Sequence, residues 1–119
     1  MTAFDPVYEQ GDVILVAYPI EERAGGRKRP VLVISPASFN EATGDLIVAQ
    51  MTRRVSAPAR PGDHQVRDWR EANLPSPAIV RSRLATIPAT LVLRRLGRLS
   101  SEDFNAALAG LQTAVDPED

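Results

Sequence analysis

The chain has 119 residues, of which 44% are hydrophobic and 24% charged, and its formal net charge at pH 7 is −1. This length allows one domain with one modest core, and the balanced composition excludes a wholly disordered chain. The absence of cysteine excludes disulfide bonds and disfavours a structural zinc site. No stretch is apolar enough to span a membrane, and the first residues lack the features of a signal peptide, so we expect a cytoplasmic protein.

The small net charge conceals an uneven distribution of charged residues. Acidic side chains gather near the two ends, whereas the segment between Glu71 and Glu102 contains five arginines and no acid. All cations except Lys28 are arginine. The guanidinium offers a planar fork of donors that suits phosphate, although a genomic codon bias would produce the same excess of arginine.

Two strands are predicted in the first third of the chain. Residues 13–18 form an apolar run of high β propensity, and the long connection at 19–29 is of a kind that is usually functional or mobile. Residues 31–34 are four branched apolar residues, too few for a helix, and predict a strand buried on both faces. Pro30 is expected to begin this strand, where no backbone donor is needed, so Arg29 is expected at the mouth of the strand.

The middle of the chain repeats this pattern of a buried run ending in polar residues. Residues 46–51 predict a third strand, followed directly by Thr52, Arg53 and Arg54. The segment 55–63 is too rich in proline and glycine to be regular. Polar residues at the end of a buried strand are held by the backbone behind them, which favours a binding or catalytic role.

Shorter elements are predicted in the second half. Polar and apolar residues alternate weakly at 64–69, which allows a fourth strand there. Further strands are predicted at 78–83 and 91–93. Gly97 is expected to interrupt the regular structure after the last of these strands. One helical turn is possible at 37–42.

The clearest helix is predicted at the C-terminal end. Ser100 can accept a hydrogen bond from the amide of Asp103, and acids in the first turn suit the helix dipole. The helix carries an apolar stripe that is most simply a lid on a barrel or a partner surface: Phe104, Leu108, Leu111 and Val115. Many short strands and one terminal helix predict a single, mainly β domain with a core at about 10–115, folded as a small, partly closed β-barrel.

Familiar catalytic arrangements are missing from the sequence. With one histidine and no paired acidic motif, neither a metal site nor a cofactor is predicted. No phosphate-binding glycine loop and no nucleophile elbow is present. The remaining candidates are polar residues at strand ends: Arg29, Thr52, Arg53, Arg54, Arg81 and Arg83.

Five short motifs follow one another along the chain: GDV at 11–13, RPVLVI at 29–34, IVAQMT at 47–52, LPSPAIVR at 74–81 and LGRLS at 96–100. Each is weak alone, but in this order the chain resembles the MazF/PemK-type ribonuclease toxins of type II toxin–antitoxin systems. The resemblance implies an SH3-like barrel of the MazF/CcdB type and a homodimer that cleaves single-stranded RNA without a metal. It also implies a cognate, MazE-like antitoxin that lays an acidic, partly disordered segment over the same groove.

The resemblance also implies site residues. The active-site arginine of the family falls on Arg29 and its active-site threonine on Thr52. In PemK-like members an arginine and an aspartate two residues later take part; Arg81 matches the first, but Arg83 replaces the aspartate. Some members also carry a histidine in the first long connection, and this chain has none there, so the general base is unassigned.

The chemistry of RNA cleavage suits these residue types. The 2′-hydroxyl of RNA is the nucleophile, so the protein must orient the phosphate, stabilise charge and help protons move. Arg29 suits charge stabilisation, but its pKa above about 12 makes it a poor proton carrier. Thr52 can donate to a phosphate oxygen, or alternatively satisfy local backbone groups.

Further residues are candidates for RNA contact or proton transfer. His64 is the one side chain that titrates near neutrality, and it is either an acid–base catalyst or an ordinary surface histidine. Trp69, beside Arg67 and Arg70, is a platform for a base or a packing residue. The predicted RNA-binding residues are Arg27, Lys28, Arg53, Arg54, Arg81, Arg83 and Trp69.

Two alternatives remain open. A toxin of the same fold can act by inhibiting a protein such as DNA gyrase instead of cleaving RNA. A binding module can also retain the barrel after losing catalysis, and the absence of both the family's aspartate and its histidine keeps this alternative open.

Overall fold

The computed structural model of the protein describes residues 7–17, 28–53, 55 and 58–118. Two α-helices are present, α1 (Ala37–Thr43) and α2 (Ser101–Val115), and a short 3-10 turn (Ala89–Leu91) precedes the last strand. Six strands make up most of the regular structure: β1 (Asp12–Ala17), β2 (Lys28–Val33), β3 (Asp45–Thr52), β4 (His64–Gln65), β5 (Ile79–Pro88) and β6 (Val92–Arg98). The predicted mainly β fold with minor helix is confirmed.

The six strands form one antiparallel sheet in the order β4-β5-β3-β2-β1-β6. Within the described strands β4 and β6 are the two edges, so this sheet is not closed. The first three strands lie side by side at its centre, where their apolar side chains are covered on both faces.

Two apolar cores lie on opposite faces of the sheet. On β2, Leu32 belongs to the first core, whereas Val31 and Val33 belong to the second, on the opposite face. The helix α2 covers the first core with Ala107 and Leu111. All three β2 residues are fully buried, which confirms the prediction of a strand covered on both faces.

The position of Pro30 differs from the prediction. The strand β2 begins at Lys28, so Pro30 lies inside it and Arg29 belongs to the strand. Pro30 pairs with Leu15 of β1, and the described pairing with β3 starts one residue later, at Val31. A proline is tolerated there because the ladder on one side of the strand has not yet begun.

The strands of the second half also depart from the prediction. The strand β5 continues to Pro88, and β4 is only two residues long because turns follow it. Gly97 lies inside β6 and does not end it. A Cβ atom at Gly97 would lie 2.2 Å from the carbonyl oxygen of Ala72, so glycine is required by a close backbone crossing.

The helix α2 begins as predicted. The amide of Asp103 donates to Ser100 Oγ over 3.1 Å, which is the expected cap. Leu111 is buried and Phe104 packs against the first core, so the interpretation as a lid is confirmed. Val115, the last residue of the apolar stripe, is 72% exposed and does not take part in covering the core. No helix in the described part of the chain is long and apolar enough to cross a membrane.

Candidate functional site

A groove of about 1370 Å³ lies at the end of the sheet where β2 begins and β3 ends. Its described lining combines strands β1, β2, β3, β5 and β6 with the loops before β4 and β5. Of the twenty described lining residues none is acidic and seven are cations: Lys28, Arg29, Arg53, Arg60, Arg81, Arg83 and Arg94. A cleft lined by one sign of charge concentrates ligands of the opposite sign, so this groove suits a polyanion.

Arg29 and Thr52 line this groove from the adjacent strands β2 and β3. Val31 lies opposite Gln50, and Leu32 lies opposite Ala49. Extending this antiparallel register by two residues places Arg29 opposite Thr52, with both side chains on the face that Gln50 shares. Both residues line the groove and are partly buried. The two residues expected to act together therefore line the same groove from adjacent strands.

Most other residues predicted to bind RNA also line the groove. Lys28, Arg53, Arg81 and Arg83 are among its described lining residues. The predicted contacts Arg27 and Arg54 lie outside the residues that the structure describes.

Two lining cations were missed by the sequence reasoning. Arg60 comes from the loop before β4, where the sequence offers no periodic signal. Arg94 comes from β6 and belongs to the acid-free segment, which was the available clue.

The remaining arginines of the acid-free segment have a structural role. Asp12 is fully buried at the start of β1, and its Oδ2 lies 2.9 Å from Arg95 Nη2. Its Oδ1 accepts a hydrogen bond of 3.1 Å from Arg98 Nε, and Arg98 also contacts Glu9. These ion pairs tie β6 to the start of β1, so the acid-free segment supplies both groove cations and structural cations.

His64 lies outside the described lining of the groove. Its Nε2 lies 2.8 Å from Asp103 Oδ1. Asp103 is 2% exposed and also accepts the backbone N–H groups of Arg67 and Asp68, each over 2.9 Å. We therefore interpret His64 as part of an anchor between β4 and α2, and not as a surface histidine or a groove base.

The surroundings of Asp103 favour its charged form. Burial has the largest single effect on the pKa of Asp103 and raises it, but the hydrogen bonds from the Arg67 and Asp68 backbones and from His64 together outweigh it. The pKa of Asp103 is therefore lowered below its ordinary value of 3.8. The carboxylate form is the one that the fold requires.

Trp69 packs against the first core, and the guanidinium of Arg70 lies 4.5 Å from the centre of its ring. The indole is not among the described lining residues of the groove. The packing interpretation of Trp69 therefore fits the structure better than a base platform in this groove. Among the described residues no group of three or more His, Cys, Asp or Glu side chains is placed to hold a metal ion.

Comparison with protein families gives one match over most of the chain. The sequence model of the PemK-like, MazF-like toxins of type II toxin–antitoxin systems matches residues 9–115. No curated protein matches the chain.

Solved structures share the fold at low sequence identity. MazF from Deinococcus radiodurans is 22% identical, with a TM-score of 0.72 over 93% of this chain and 98% of that one. An endoribonuclease from a mycobacterial species, solved with its cognate antitoxin, is 18% identical, with a TM-score of 0.74 over 94% and 99%. The Mycobacterium tuberculosis toxin MazF-mt6 is 18% identical, with a TM-score of 0.71 over 91% and 99%. These likenesses confirm the fold.

Proposed function

The chain belongs to the PemK-like, MazF-like toxins of type II toxin–antitoxin systems, and on this basis we propose that it is a sequence-selective endoribonuclease acting on single-stranded RNA. The observation that carries the proposal is the cationic groove in which Arg29 and Thr52 come from adjacent strands. RNA is a polyanion whose phosphates suit the guanidinium forks along this groove.

The proposed reaction needs no covalent contribution from the protein. The 2′-oxygen of a ribose attacks the adjacent phosphorus, and the bond from phosphorus to the 5′-oxygen of the next nucleotide breaks. One proton leaves the 2′-hydroxyl and one arrives on the departing oxygen. The products are a 2′,3′-cyclic phosphate, which can open to a 3′-phosphate, and a 5′-hydroxyl end.

Arg29 and Thr52 are assigned to the charge that develops on the phosphate oxygens. The guanidinium fork of Arg29 can donate two parallel hydrogen bonds to them, and the Thr52 hydroxyl can donate a third. The described lining contains neither a carboxylate nor an imidazole. We therefore assign catalysis in this groove to orientation and charge stabilisation.

The same groove suits the proposed protein partner. A mycobacterial endoribonuclease of this fold was solved in complex with its cognate antitoxin. For this chain we propose a cognate, MazE-like antitoxin whose acidic segment competes with RNA for the groove cations, and a homodimeric toxin. An acidic peptide and RNA would then exclude each other from the groove.

Labelled single-stranded RNA incubated with the purified protein in EDTA is expected to be cut at specific sites. Mapping of the ends should find cyclic or 3′-phosphates and 5′-hydroxyls, because the nucleophile belongs to the RNA. Cleavage that EDTA abolishes and a divalent ion restores would contradict this mechanism. A folded protein that cuts no RNA but inhibits a protein such as DNA gyrase would support the alternative toxin class.

Affinity for a non-cleavable single-stranded DNA oligonucleotide is expected to fall steeply with salt. Each phosphate neutralised on a single strand contributes about −0.7 to the slope of log K against log salt concentration. Arg83→Gln, in the groove, should make the slope less steep by about 0.7. Arg67→Gln is the matched control, because Arg67 is exposed and is not among the described lining residues. Equal slopes for both variants would show that Arg83 does not contact the strand.

A further inference from the structure

We propose that Asp63 is a positioning residue for Arg81, supplying from the loop before β4 the carboxylate that fixes this arginine in the groove. The proposal rests on the proposed ribonuclease function and adds a residue to it. Asp63 is not among the described lining residues of the groove, so it acts through Arg81 and not on the RNA.

Arg81 needs a counter-charge where it lies. Among the described cations of the groove, Arg81 is the buried one, and its side chain is only 9% exposed. Six other described cations line the same groove. A buried cation is costly unless an opposite charge compensates it, and like charges nearby add to that cost. Among the described residues Asp63 is the one carboxylate within ion-pairing distance, with its Oδ2 3.9 Å from Arg81 Nη2.

The position of Asp63 is fixed by its own turn. Its Oδ2 accepts the backbone N–H of Arg60 over 2.9 Å, and its backbone N–H donates to the Arg60 carbonyl over 3.0 Å. Gly62, with φ of +87°, completes this turn. A Cβ atom at Gly62 would lie 2.5 Å from Ser82 Oγ and 3.0 Å from the Gly110 carbonyl oxygen. The turn is thus held between β5 and α2, so the carboxylate has little freedom to move.

The separation of the pair suits a residue that holds Arg81 without occupying its donors. At 3.9 Å the contact is an ion pair and too long for a hydrogen bond. The Asp63 side chain is 6% exposed, so water screens its attraction to Arg81 less than it screens an exposed pair. The guanidinium N–H groups therefore stay available to a phosphate. Asp63 Oδ1 has no hydrogen-bond partner in the described part of the chain.

This arrangement predicts opposite effects on binding and turnover. Removing the charge of Asp63 makes the groove more positive, so RNA affinity should stay the same or increase. Turnover should fall, because Arg81 is no longer held in its productive position. Misplacement of a group by about 1 Å can cost on the order of 100-fold in rate. A purely structural role for Asp63 would instead weaken binding and turnover together.

The test is a double-mutant cycle with Asp63→Asn and Arg81→Gln, in which kcat and KM for RNA cleavage and thermal unfolding are measured for all four proteins. Asp63→Asn is expected to lower kcat by about 10- to 100-fold with KM unchanged or lower. In the Arg81→Gln background the same change should have no further effect on kcat, because Asp63 acts only through the Arg81 side chain. Glu71→Gln, which neutralises an exposed acid outside the groove lining, is the matched control and should leave both constants unchanged.

The outcomes separate this inference from the proposed function. If Asp63→Asn retains kcat within twofold, or if its loss is equally large in the Arg81→Gln background, the positioning role is overturned although the protein remains a ribonuclease. If the unmutated protein cuts no RNA, the proposed function fails and this inference fails with it. Asp63→Ser, smaller and neutral, replaces Asp63→Asn in the cycle if unfolding curves show that the amide variant does not fold.

Discussion

Replacement of Arg29 by alanine is expected to lower the single-turnover rate of RNA cleavage by about 10²–10³-fold, the size of effect found when one preorganised oxyanion donor is removed. Arg29 lies at the start of β2 on the groove wall, outside both apolar cores. The free energy of unfolding should therefore change by less than about 1 kcal/mol. Single-turnover cleavage and urea unfolding of the same preparations measure the two effects separately.

Conservative variants test the roles assigned to the two groups. Arg29→Lys retains the charge and loses the fork, so it should restore little of the rate if two parallel hydrogen bonds are needed. Thr52→Ser retains the hydroxyl and should be milder than Thr52→Ala. His64→Ala is the control for a rival base: it should lower stability while the folded protein still cleaves. Loss of cleavage in His64→Ala together with full activity in Arg29→Ala would overturn this assignment.

Replacement of Asp103 by alanine is expected to lower the free energy of unfolding by about 3–5 kcal/mol, because a buried acceptor with several donors disappears. The backbone N–H groups of Arg67 and Asp68 and the ring of His64 would each lose their partner. Glu102→Ala removes the same charge from an exposed position in the same helical turn, so it should cost less than about 1 kcal/mol. Urea unfolding at one fixed protein concentration compares the two, since association would change apparent stability. Equal losses would show that Asp103 contributes only through the helix dipole.

The contribution of Asp103 should also depend on pH. Its pKa is lowered in the folded state, so the carboxylate stabilises the fold at pH values above the unfolded-state pKa of 3.8. That stabilisation is lost as the pH falls through the lower folded-state value. The difference in unfolding free energy between the unmutated protein and Asp103→Asn should therefore shrink as the pH falls below about 4. A difference that does not change between pH 7 and pH 3 would contradict the assignment of the charged form.

Local patterns predicted the centre of the fold. The apolar runs that became β1, β2 and β3 are short, branched and bounded by turn residues, and the cap at Ser100 requires only two residues three positions apart. Arg29 and Thr52 were candidates because each directly adjoins such a run, and the family resemblance selected them from the other strand-end residues. Their proximity then follows from the antiparallel pairing of the two strands.

Long-range contacts explain what the sequence did not reveal. His64 and Asp103 are 39 positions apart, and each looks like an ordinary surface residue until β4 meets the start of α2. In the sequence Gly97 resembles a residue that ends a strand. In the structure glycine is needed there because the backbone of Ala72 crosses close to β6. Arg94 and Arg95 were indistinguishable in sequence. In the structure Arg95 pairs with the buried Asp12, whereas Arg94 lines the groove. Such differences arise from tertiary packing, which local periodicity does not contain.

The measurement that tests the proposed function most directly compares an all-RNA oligonucleotide with the same sequence carrying one 2′-deoxynucleotide at the mapped cleavage site. Removing one 2′-hydroxyl leaves every phosphate in place, so the groove cations should bind both strands with similar affinity. The all-RNA strand should be cut at that site, and the substituted strand should resist cleavage there while it competes for binding. Equal cleavage of both strands at that site would contradict a reaction in which the 2′-oxygen is the nucleophile and the groove supplies orientation and charge.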